Sequence, residues 1–356
     1  MINRIPITII TGFLGSGKTT LLRHLLLKSD QRLAVMINEF GSVGLDGDLI
    51  RSCGFCPEED LEARIVELNN GCLCCTVQDD FLPTIENLLL RSDDLDGIII
   101  ETSGLALPKP LIQAIEWPQI RSKVFVNGVV ALVDSEALCS GSPTGDVKAI
   151  EMQRQEDESI DHLTSIDDLF KDQLSCADVV LLSRADLIAP SEIASLKKTI
   201  SKNLREGTSL IPIAFGQIDP LLVLGLHSNN YNRKNSFFGE RESNHEHEHE
   251  HEHEHHLKVI SNIIRLEVNI SHSEIEKVLK TITLDFQVLR LKGRFWLPDK
   301  QLPLQVQMVG PRFSSWFENV PDNVWKPSNG GLDLVTLSLQ EGVDEEIKSA
   351  FEGITR

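Results

Sequence analysis

The sequence has little positive charge, few aromatic residues and no long apolar run. Its 356 residues carry 53 acidic against 34 basic side chains, and the formal net charge of −19 disfavours nucleic acid and anionic membrane surfaces as partners. No apolar stretch approaches the ~20 residues that cross a bilayer, which argues against membrane insertion. The N-terminus also lacks the long apolar core of a signal peptide. We therefore expect a cytoplasmic protein whose seven cysteines are thiols, metal ligands or redox groups.

One octapeptide, Gly12–Thr19, fits the phosphate-binding pattern G-x-x-x-x-G-K-[ST]. An apolar run, Ile5–Ile10, precedes it and a leucine-rich helical pattern, Thr19–Leu27, follows it, as the motif requires. Glycines let backbone amides turn towards phosphate oxygens, and the helix N-terminus adds its positive dipole end. We expect Lys18 to reach the β- and γ-phosphates and the Thr19 hydroxyl to bind Mg²⁺. The predicted nucleotide-binding residues of this loop are Gly12, Phe13, Leu14, Gly15, Ser16, Gly17, Lys18, Thr19 and Thr20.

Apolar segments alternate with helical segments up to about residue 216, which predicts an α/β fold of the P-loop NTPase type, a parallel sheet with helices on both faces. The predicted strands are Ile5–Ile10, Leu33–Asn38, Gly97–Ile100, Val124–Val133, Asp178–Leu182 and Leu210–Phe215. The predicted helices are Thr19–Lys28, Gln78–Arg91, Leu111–Trp117, Ile166–Leu174 and Ser191–Asn203. Gly41–Glu67 is interpreted as a switch-like loop and Ser140–Asp161 as a polar surface insertion.

A polar segment at residues 228–257 interrupts these patterns and predicts a flexible, His/Glu-rich linker. We accordingly expect a nucleotide-binding domain at 1–227 and a smaller C-terminal α+β domain at 258–356. The second domain is predicted to contain the strands Ile263–Ile270, Gln287–Leu291, Arg294–Leu297, Leu304–Val309 and Val335–Leu339 and the helices Ser271–Thr281 and Asp344–Phe351.

Two further segments fit the nucleotide site. The apolar run before Glu101 predicts a strand that ends in a carboxylate near Mg²⁺, and Gly104 can offer its amide to the γ-phosphate. Downstream, Ser183, Arg184 and Asp186 resemble the N-K-x-D loop with which GTPases read the base. A carboxylate at Asp186 accepts two hydrogen bonds from guanine that adenine does not offer. Ser183 replaces the expected Asn and loses an amide donor, while the Arg184 stem can still cover the base.

Three thiols, Cys72, Cys74 and Cys75, occur within four residues and predict a metal site. Thiolates suit Zn²⁺, Co²⁺ or Cu⁺. In an extended segment the first two side chains point one way and the third points opposite, so two thiolates with outside ligands are as plausible as three. A redox pair and buried small side chains are the alternatives.

The remaining cysteines carry weaker predictions. Cys53 and Cys56 form a lone C-x-x-C that could serve as an accessory metal or redox pair. Cys139 and Cys176 lie in apolar segments and are expected in the core.

A tract of alternating His and Glu near the end of the linker predicts auxiliary metal binding, because dense neutral imidazoles bind late transition metals weakly. A solvated linker with incidental affinity is the alternative. Its histidines are His245, His247, His249, His251, His253, His255 and His256.

Together these elements resemble the CobW family of P-loop GTPases. The resemblance extends over nearly the whole chain, and Glu67–Pro118 is especially similar to the cobalamin-biosynthesis branch. Ser183 is the main departure from the family pattern. The matching segments are Gly12–Thr20, Asn38–Gly41, Gly44–Asp46, Cys72–Cys75, Glu101–Ala106 and Pro311–Phe313.

The resemblance implies a GTP-dependent metallochaperone that holds a divalent metal in its GTP state and releases it on hydrolysis to GDP. By this resemblance the cysteines at 72, 74 and 75 are the metal ligands, Glu39 and Gly41 belong to the first switch, and Glu101 and Gly104 to the second. Co²⁺ for cobaltochelatase is the favoured cargo and client, and Zn²⁺ for a zinc enzyme is the alternative. We also expect slow hydrolysis without a partner and a nucleotide-dependent dimer.

Two other classes remain open from the sequence alone. A P-loop kinase or biosynthetic ATPase with a structural metal would need an acceptor site, which the sequence does not reveal, and Asp186 argues against it. A passive His/Cys metal store or sensor would bind metal regardless of nucleotide.

Overall fold

The chain forms two compact units, Met1–Leu224 and Gly225–Arg356. A computed structural model describes residues 4–37, 65–67, 81–146, 148, 150–152, 164–225, 259–321 and 324–354. The predicted linker at 228–257 lies outside them. Nowhere in these ranges is a helix both long and apolar enough to cross a membrane.

The first unit is a sheet of seven parallel strands with helical connections. Its strands are β1 (Ile5–Thr11), β2 (Leu33–Ile37), β3 (Ile65–Glu67), β4 (Gly97–Glu101), β5 (Val124–Asp134), β6 (Val179–Ser183) and β7 (Ser209–Pro212). Its helices are α1 (Lys18–Lys28), α2 (Leu82–Leu89), α3 (Pro108–Ile115), α4 (Ser135–Cys139), α5 (Ile166–Cys176), α6 (Pro190–Ile200) and α7 (Pro220–Leu224).

The strand order β3-β2-β4-β1-β5-β6-β7 puts β1 at the centre. In the register, Glu101 lies beside Ile10 of β1 and beside Ile37 of β2, and Ile37 in turn lies beside Glu67 of β3. The carboxyl ends of these four strands therefore share one edge of the sheet. That edge carries the phosphate-loop motif, as is usual for ligand sites in open parallel sheets.

Both faces of the central strand are covered. Ile7 and Ile9 belong to an apolar cluster with residues of α2 and α3. Thr8 lies between them on the strand, and the Asn127 amide nitrogen donates to its hydroxyl (2.8 Å) and to the carbonyl of Leu224 in α7 (2.9 Å). Because neighbouring strand residues point to opposite faces, helices pack on both sides of the sheet, and the predicted P-loop NTPase fold is confirmed.

The second unit is a five-stranded antiparallel sheet with two helices, as predicted for an α+β domain. Apolar residues of both helices share one core with the sheet, where the Phe295 and Phe351 ring centroids lie 5.5 Å apart. Its elements are β8 (Ile260–Leu266), α8 (His272–Asp285), β9 (Val288–Trp296), β10 (Leu304–Val309), β11 (Arg312–Phe317), β12 (Gly331–Ser338) and α9 (Val343–Ile354).

Several predicted bounds in the second unit are wrong. One strand, β9, replaces the predicted pair Gln287–Leu291 and Arg294–Leu297. It continues through Gly293 because β12 passes so close that a Cβ there would lie 2.1 Å from the carbonyl oxygen of Asp333. The edge strand β11 was not predicted, and none of its six residues is fully buried.

Two predictions in the first unit are also corrected. The predicted strand Leu210–Phe215 ends at Pro212, and Phe215 lies in a turn with φ of 53°. Within the segment interpreted as a switch-like loop, Ile65–Glu67 forms β3.

Candidate nucleotide site

The segment from Gly12 to Gly17 joins β1 to α1 with three glycines at positive φ, 140° at Gly12, 79° at Gly15 and 97° at Gly17. The first of them has no room for a side chain, because a Cβ would lie 2.5 Å from the carbonyl oxygen of Leu132. Only glycine adopts these angles without strain, and successive amides in such a turn form an anion-binding concavity. The loop therefore has the backbone that phosphate binding requires.

Lys18 begins α1 and is 7% exposed. Its ammonium donates to the carbonyl oxygens of Gly12 (2.9 Å) and Phe13 (3.3 Å), so the positive charge lies within the loop. Thr19 follows in the first helical turn. The charge and the helix N-terminus thus converge at one point, which favours the binding of a polyphosphate.

Glu101 ends β4 beside the loop and is 3% exposed. The amide of the next residue, Thr102, donates to the carbonyl of Ile10 (2.9 Å), and the Thr102 hydroxyl donates to the Thr11 hydroxyl (3.0 Å). These bonds fix the end of β4 against the end of β1. A buried carboxylate here and the hydroxyl of Thr19 are hard oxygen donors of the kind Mg²⁺ prefers.

Gly104 packs directly on the phosphate loop. A Cβ at this position would lie 2.7 Å from the backbone nitrogen of Leu14, closer than real side chains approach backbone atoms. The side-chain amide of Gln173 in α5 donates to the carbonyls of Gly104 (3.0 Å) and Ala106 (3.1 Å), which holds this turn from the other side. The turn after β4 therefore lies in close contact with the phosphate loop on one side and is bonded to α5 on the other.

The base-reading prediction falls on the loop after β6. Ser183 is buried and donates its hydroxyl to the carbonyl of Val133 (3.2 Å), a bond within the sheet. Arg184 adopts a left-handed backbone with φ of 53°, and its guanidinium contacts Asp134 (2.8 Å). Asp186 lies exposed in a short 3-10 turn, with its carboxylate accessible to a ligand.

Most of the predicted metal ligands and first-switch residues lie outside the described residues. These are Cys53, Cys56, Cys72, Cys74, Cys75, Glu39, Gly41 and the seven histidines of the tract. Within the described ranges, no group of three or more His, Cys, Asp or Glu side chains is arranged to hold a metal ion.

The prediction that Cys139 and Cys176 are core residues is wrong. Cys139 is exposed and Cys176 is half-buried, because each lies at the end of a helix rather than on its inner face. Desolvation and then the charge of Glu192 raise the pKa of the Cys139 thiol, which disfavours the thiolate that binds metals.

Three contributors to the site were missed in the sequence. Asp134 binds Arg184 and caps α4 by accepting from the amide of Ala137 (3.1 Å). Thr144 donates to the carbonyl of Leu14 (3.3 Å) from a loop that was interpreted as a surface insertion. Gln173 was missed because its partners are backbone atoms distant in sequence. Of the three, Asp134 alone had a signal in the sequence, because it is the acidic residue that ends the long apolar run of β5.

A glycine loop closed on a buried lysine, followed by a buried carboxylate at the end of a neighbouring parallel strand, defines a P-loop nucleoside triphosphatase. A family model described as CobW/HypB/UreG, nucleotide-binding domain, matches residues 6–212, and one described as cobalamin synthesis protein cobW C-terminal domain matches residues 259–353. The chain belongs to this family and is a P-loop GTPase, as the sequence predicted.

The chain is also similar to individual proteins. The zinc chaperone CobW of Sinorhizobium sp. is 40% identical over 359 residues, with 99% of this chain and 97% of the relative covered. The zinc-regulated GTPase metalloprotein activator 1 of Schizosaccharomyces pombe is 32% identical over 228 residues, 61% of this chain and 47% of the relative. Among solved structures, the zinc-bound YjiA GTPase of E. coli is 22% identical with a TM-score of 0.40, and 99% of each chain is covered.

Proposed function

We propose that this protein is a GTP-dependent metallochaperone. In the GTP state it binds a divalent transition metal through Cys72, Cys74 and Cys75, and it releases the metal to a receiving protein when GTP is hydrolysed. The single observation that supports the proposal most is the close approach of Gly104, a predicted second-switch residue, to the phosphate loop, where an added Cβ would lie 2.7 Å from the Leu14 nitrogen.

The architecture supports a link between the terminal phosphate and the thiols. The strand β3 ends at Glu67, in register with the β2 residue that lies beside Glu101, so it ends at the edge that carries the phosphate loop. The thiol segment follows Glu67 by only a few residues in the sequence. A γ-phosphate that orders this edge would assemble the metal site, and loss of the phosphate would disassemble it.

Each residue of the nucleotide site has a defined task in this cycle. Lys18 neutralises charge on the β- and γ-phosphates, and the amide of Gly104 senses the terminal phosphate. Mg²⁺ would be held by Thr19 and Glu101 and, when bound, offsets charge that develops on the phosphates. Asp186 recognises the guanine edge.

Zn²⁺ is the cargo we favour, because the Sinorhizobium relative is named a zinc chaperone and because thiolate sites bind Zn²⁺ more tightly than Co²⁺. Co²⁺ for cobaltochelatase rests on the family resemblance alone and is the alternative cargo. The histidine tract, His245 to His256, is proposed as an auxiliary set of metal donors. Free thiol ligands require a reducing compartment, and we accordingly propose a cytoplasmic location. A nucleotide-dependent dimer is a further prediction.

The deciding experiment is an anaerobic titration of Zn²⁺ and Co²⁺ in competition, with the protein loaded with either a non-hydrolysable GTP analogue or GDP. We expect metal affinity at least about tenfold higher in the GTP form, and by reciprocity an equal effect of metal on nucleotide affinity. The triple Cys-to-Ser variant at 72, 74 and 75 should lose this binding. Cys139→Ser, an exposed thiol outside the cluster, is the matched control. Equal affinities in the two nucleotide states would leave only a passive metal store.

A further inference from the structure

Phe215 is an aromatic ring held in solvent by a strained backbone. Its side chain is 73% exposed, and its φ of 53° lies in the left-handed region that bulky residues rarely adopt. Strain of this kind persists where surrounding contacts impose it, and it concentrates at ligand sites. The residue is thus exposed by the geometry of its own turn.

Hydrogen bonds hold both ends of this turn. At its start, the amide of Ile213 donates to the carbonyl of Leu182 (2.8 Å). At its end, the His24 Nε2 atom of α1 lies 2.8 Å from the carbonyl oxygen of Ile218. Between them, a Cβ on Gly216 would lie 3.0 Å from the backbone of Thr20 and Leu21, so the turn lies against the first turn of α1.

The same turn is bonded to the predicted base-reading loop. The amide of Ala185 donates to the carbonyl of Ile213 (3.1 Å), and β6 and β7 are parallel neighbours that end at the same edge. The Ser183 Cβ lies 3.8 Å from the Cβ position of Gly17, the last glycine of the phosphate loop. A nucleotide with its phosphates in that loop therefore has its base beside these two adjoining loops.

Arg184, like Phe215, has a strained backbone and lies in one of the two loops beside the expected base. Its φ is also 53°, and its guanidinium is fixed by Asp134 (2.8 Å) and Glu136 (3.4 Å). With its charge engaged there, the side chain can offer only its aliphatic stem to a base. The Ser183 hydroxyl is already donated to the carbonyl of Val133, so the edge of the base gains little from it.

We propose that Phe215 stacks on the purine base of the bound nucleotide and, with the Arg184 stem, supplies by face contact the affinity that an Asn at position 183 would supply by hydrogen bonds. The proposal rests on the proposed GTP-dependent function. It identifies a contact in the base site that contributes affinity without selecting between purines. Because every purine has the same kind of face, Phe215 governs affinity for guanine and adenine nucleotides alike, whereas Asp186 governs the choice between them.

The test compares Kd values for GDP and ADP, measured on the metal-free full chain by competition against a fluorescent GDP analogue. Phe215→Asn removes the ring but keeps a residue that tolerates the left-handed backbone, and Phe215→Tyr retains the ring. We expect F215N to weaken both nucleotides about 5- to 100-fold with an unchanged GDP-to-ADP ratio, and F215Y to bind as the wild type does. Leu90→Ala, at an 84% exposed apolar residue beyond α2, is the matched control and should change nothing.

The outcomes separate this inference from the proposed function. A wild-type Kd for GDP in F215N, or a loss in F215Y as large as that in F215N, would overturn the stacking role while leaving the chaperone cycle standing. A selective loss of GDP affinity in F215N would overturn the division of roles with Asp186, whose Asp186→Ala variant should raise the ratio of the GDP Kd to the ADP Kd. Failure of the wild type to bind guanine nucleotides would instead overturn the proposed function itself.

Discussion

Substituting Gly104 with Ala tests whether the second switch and the phosphate loop act as one unit. The added Cβ would lie 2.7 Å from the Leu14 nitrogen and 3.4 Å from the Leu14 Cα and Cβ atoms. To restore an ordinary contact of 3.4 Å, the two backbones must separate by roughly 0.7 Å, and overpacking of this kind costs about 1–3 kcal/mol. The bonds from Gln173 hold the turn on its far side, so the strain acts on the contact itself.

The functional consequence differs between the two nucleotides. GTP would accept a hydrogen bond from the Gly104 amide through its γ-phosphate, and hydrogen bonds to charged groups are worth about 1.5–3 kcal/mol. GDP has no phosphate at that position. We therefore expect Gly104→Ala to weaken a GTP analogue about 10- to 100-fold, at about 1.4 kcal/mol per factor of ten, and to weaken GDP less, through the displaced phosphate loop alone.

The assay is competition of each nucleotide against a fluorescent GDP analogue, with thermal unfolding recorded in parallel. Gly145→Ala is the matched control in a loop beside the site, since its Cβ would lie 3.8 Å from Asp134 Oδ2, an ordinary contact. An equal loss of GTP and GDP in an otherwise folded G104A protein, or no loss of either, would refute the proposed sensing of the terminal phosphate.

Two further predictions concern stability. Asp178 is fully buried, accepts a hydrogen bond from the Val129 amide (2.8 Å) and pairs with half-exposed Arg205. Asp178→Ala should therefore lower the free energy of unfolding by about 2–4 kcal/mol in a urea titration. Lys171→Ala, which removes a surface ion pair, should change it by less than about 0.5 kcal/mol, and equal effects of the two substitutions would contradict this prediction. In the second unit, hydrogen bonds from Ser271 lower the pKa of Glu274, so the capping box adds stability that is present above the unfolded pKa near ~4.3 and is lost as pH falls through the lower folded value. The stability difference between the wild type and Ser271→Ala, followed by tryptophan fluorescence, should therefore be largest near neutral pH and become smaller in acid, and a pH-independent difference would contradict this linkage.

Sequence pattern alone identified the features that depend on local chemistry. The glycine spacing from Gly12 to Gly17 predicts a turn at positive φ whatever surrounds it, and the apolar run before Glu101 predicts a buried strand that ends in an acid. The alternation of strands and helices predicted a parallel sheet with both faces covered. These features could be predicted because few other backbone conformations are compatible with these residues.

Tertiary structure alone decided which distant residues meet. Gln287–Leu291 and Arg294–Leu297 were predicted as separate strands, but one strand, β9, runs through Gly293 because the neighbouring strand passes where a side chain would stand. Gln173 and Asp134 acquire their roles from backbone atoms and charges brought together by folding, and Phe215 becomes exposed only because its turn is held between β6 and α1. Periodicity and motifs predict the local conformation of each segment. The arrangement of the predicted switch, the phosphate loop and the base site depends instead on contacts between segments that are distant in the sequence.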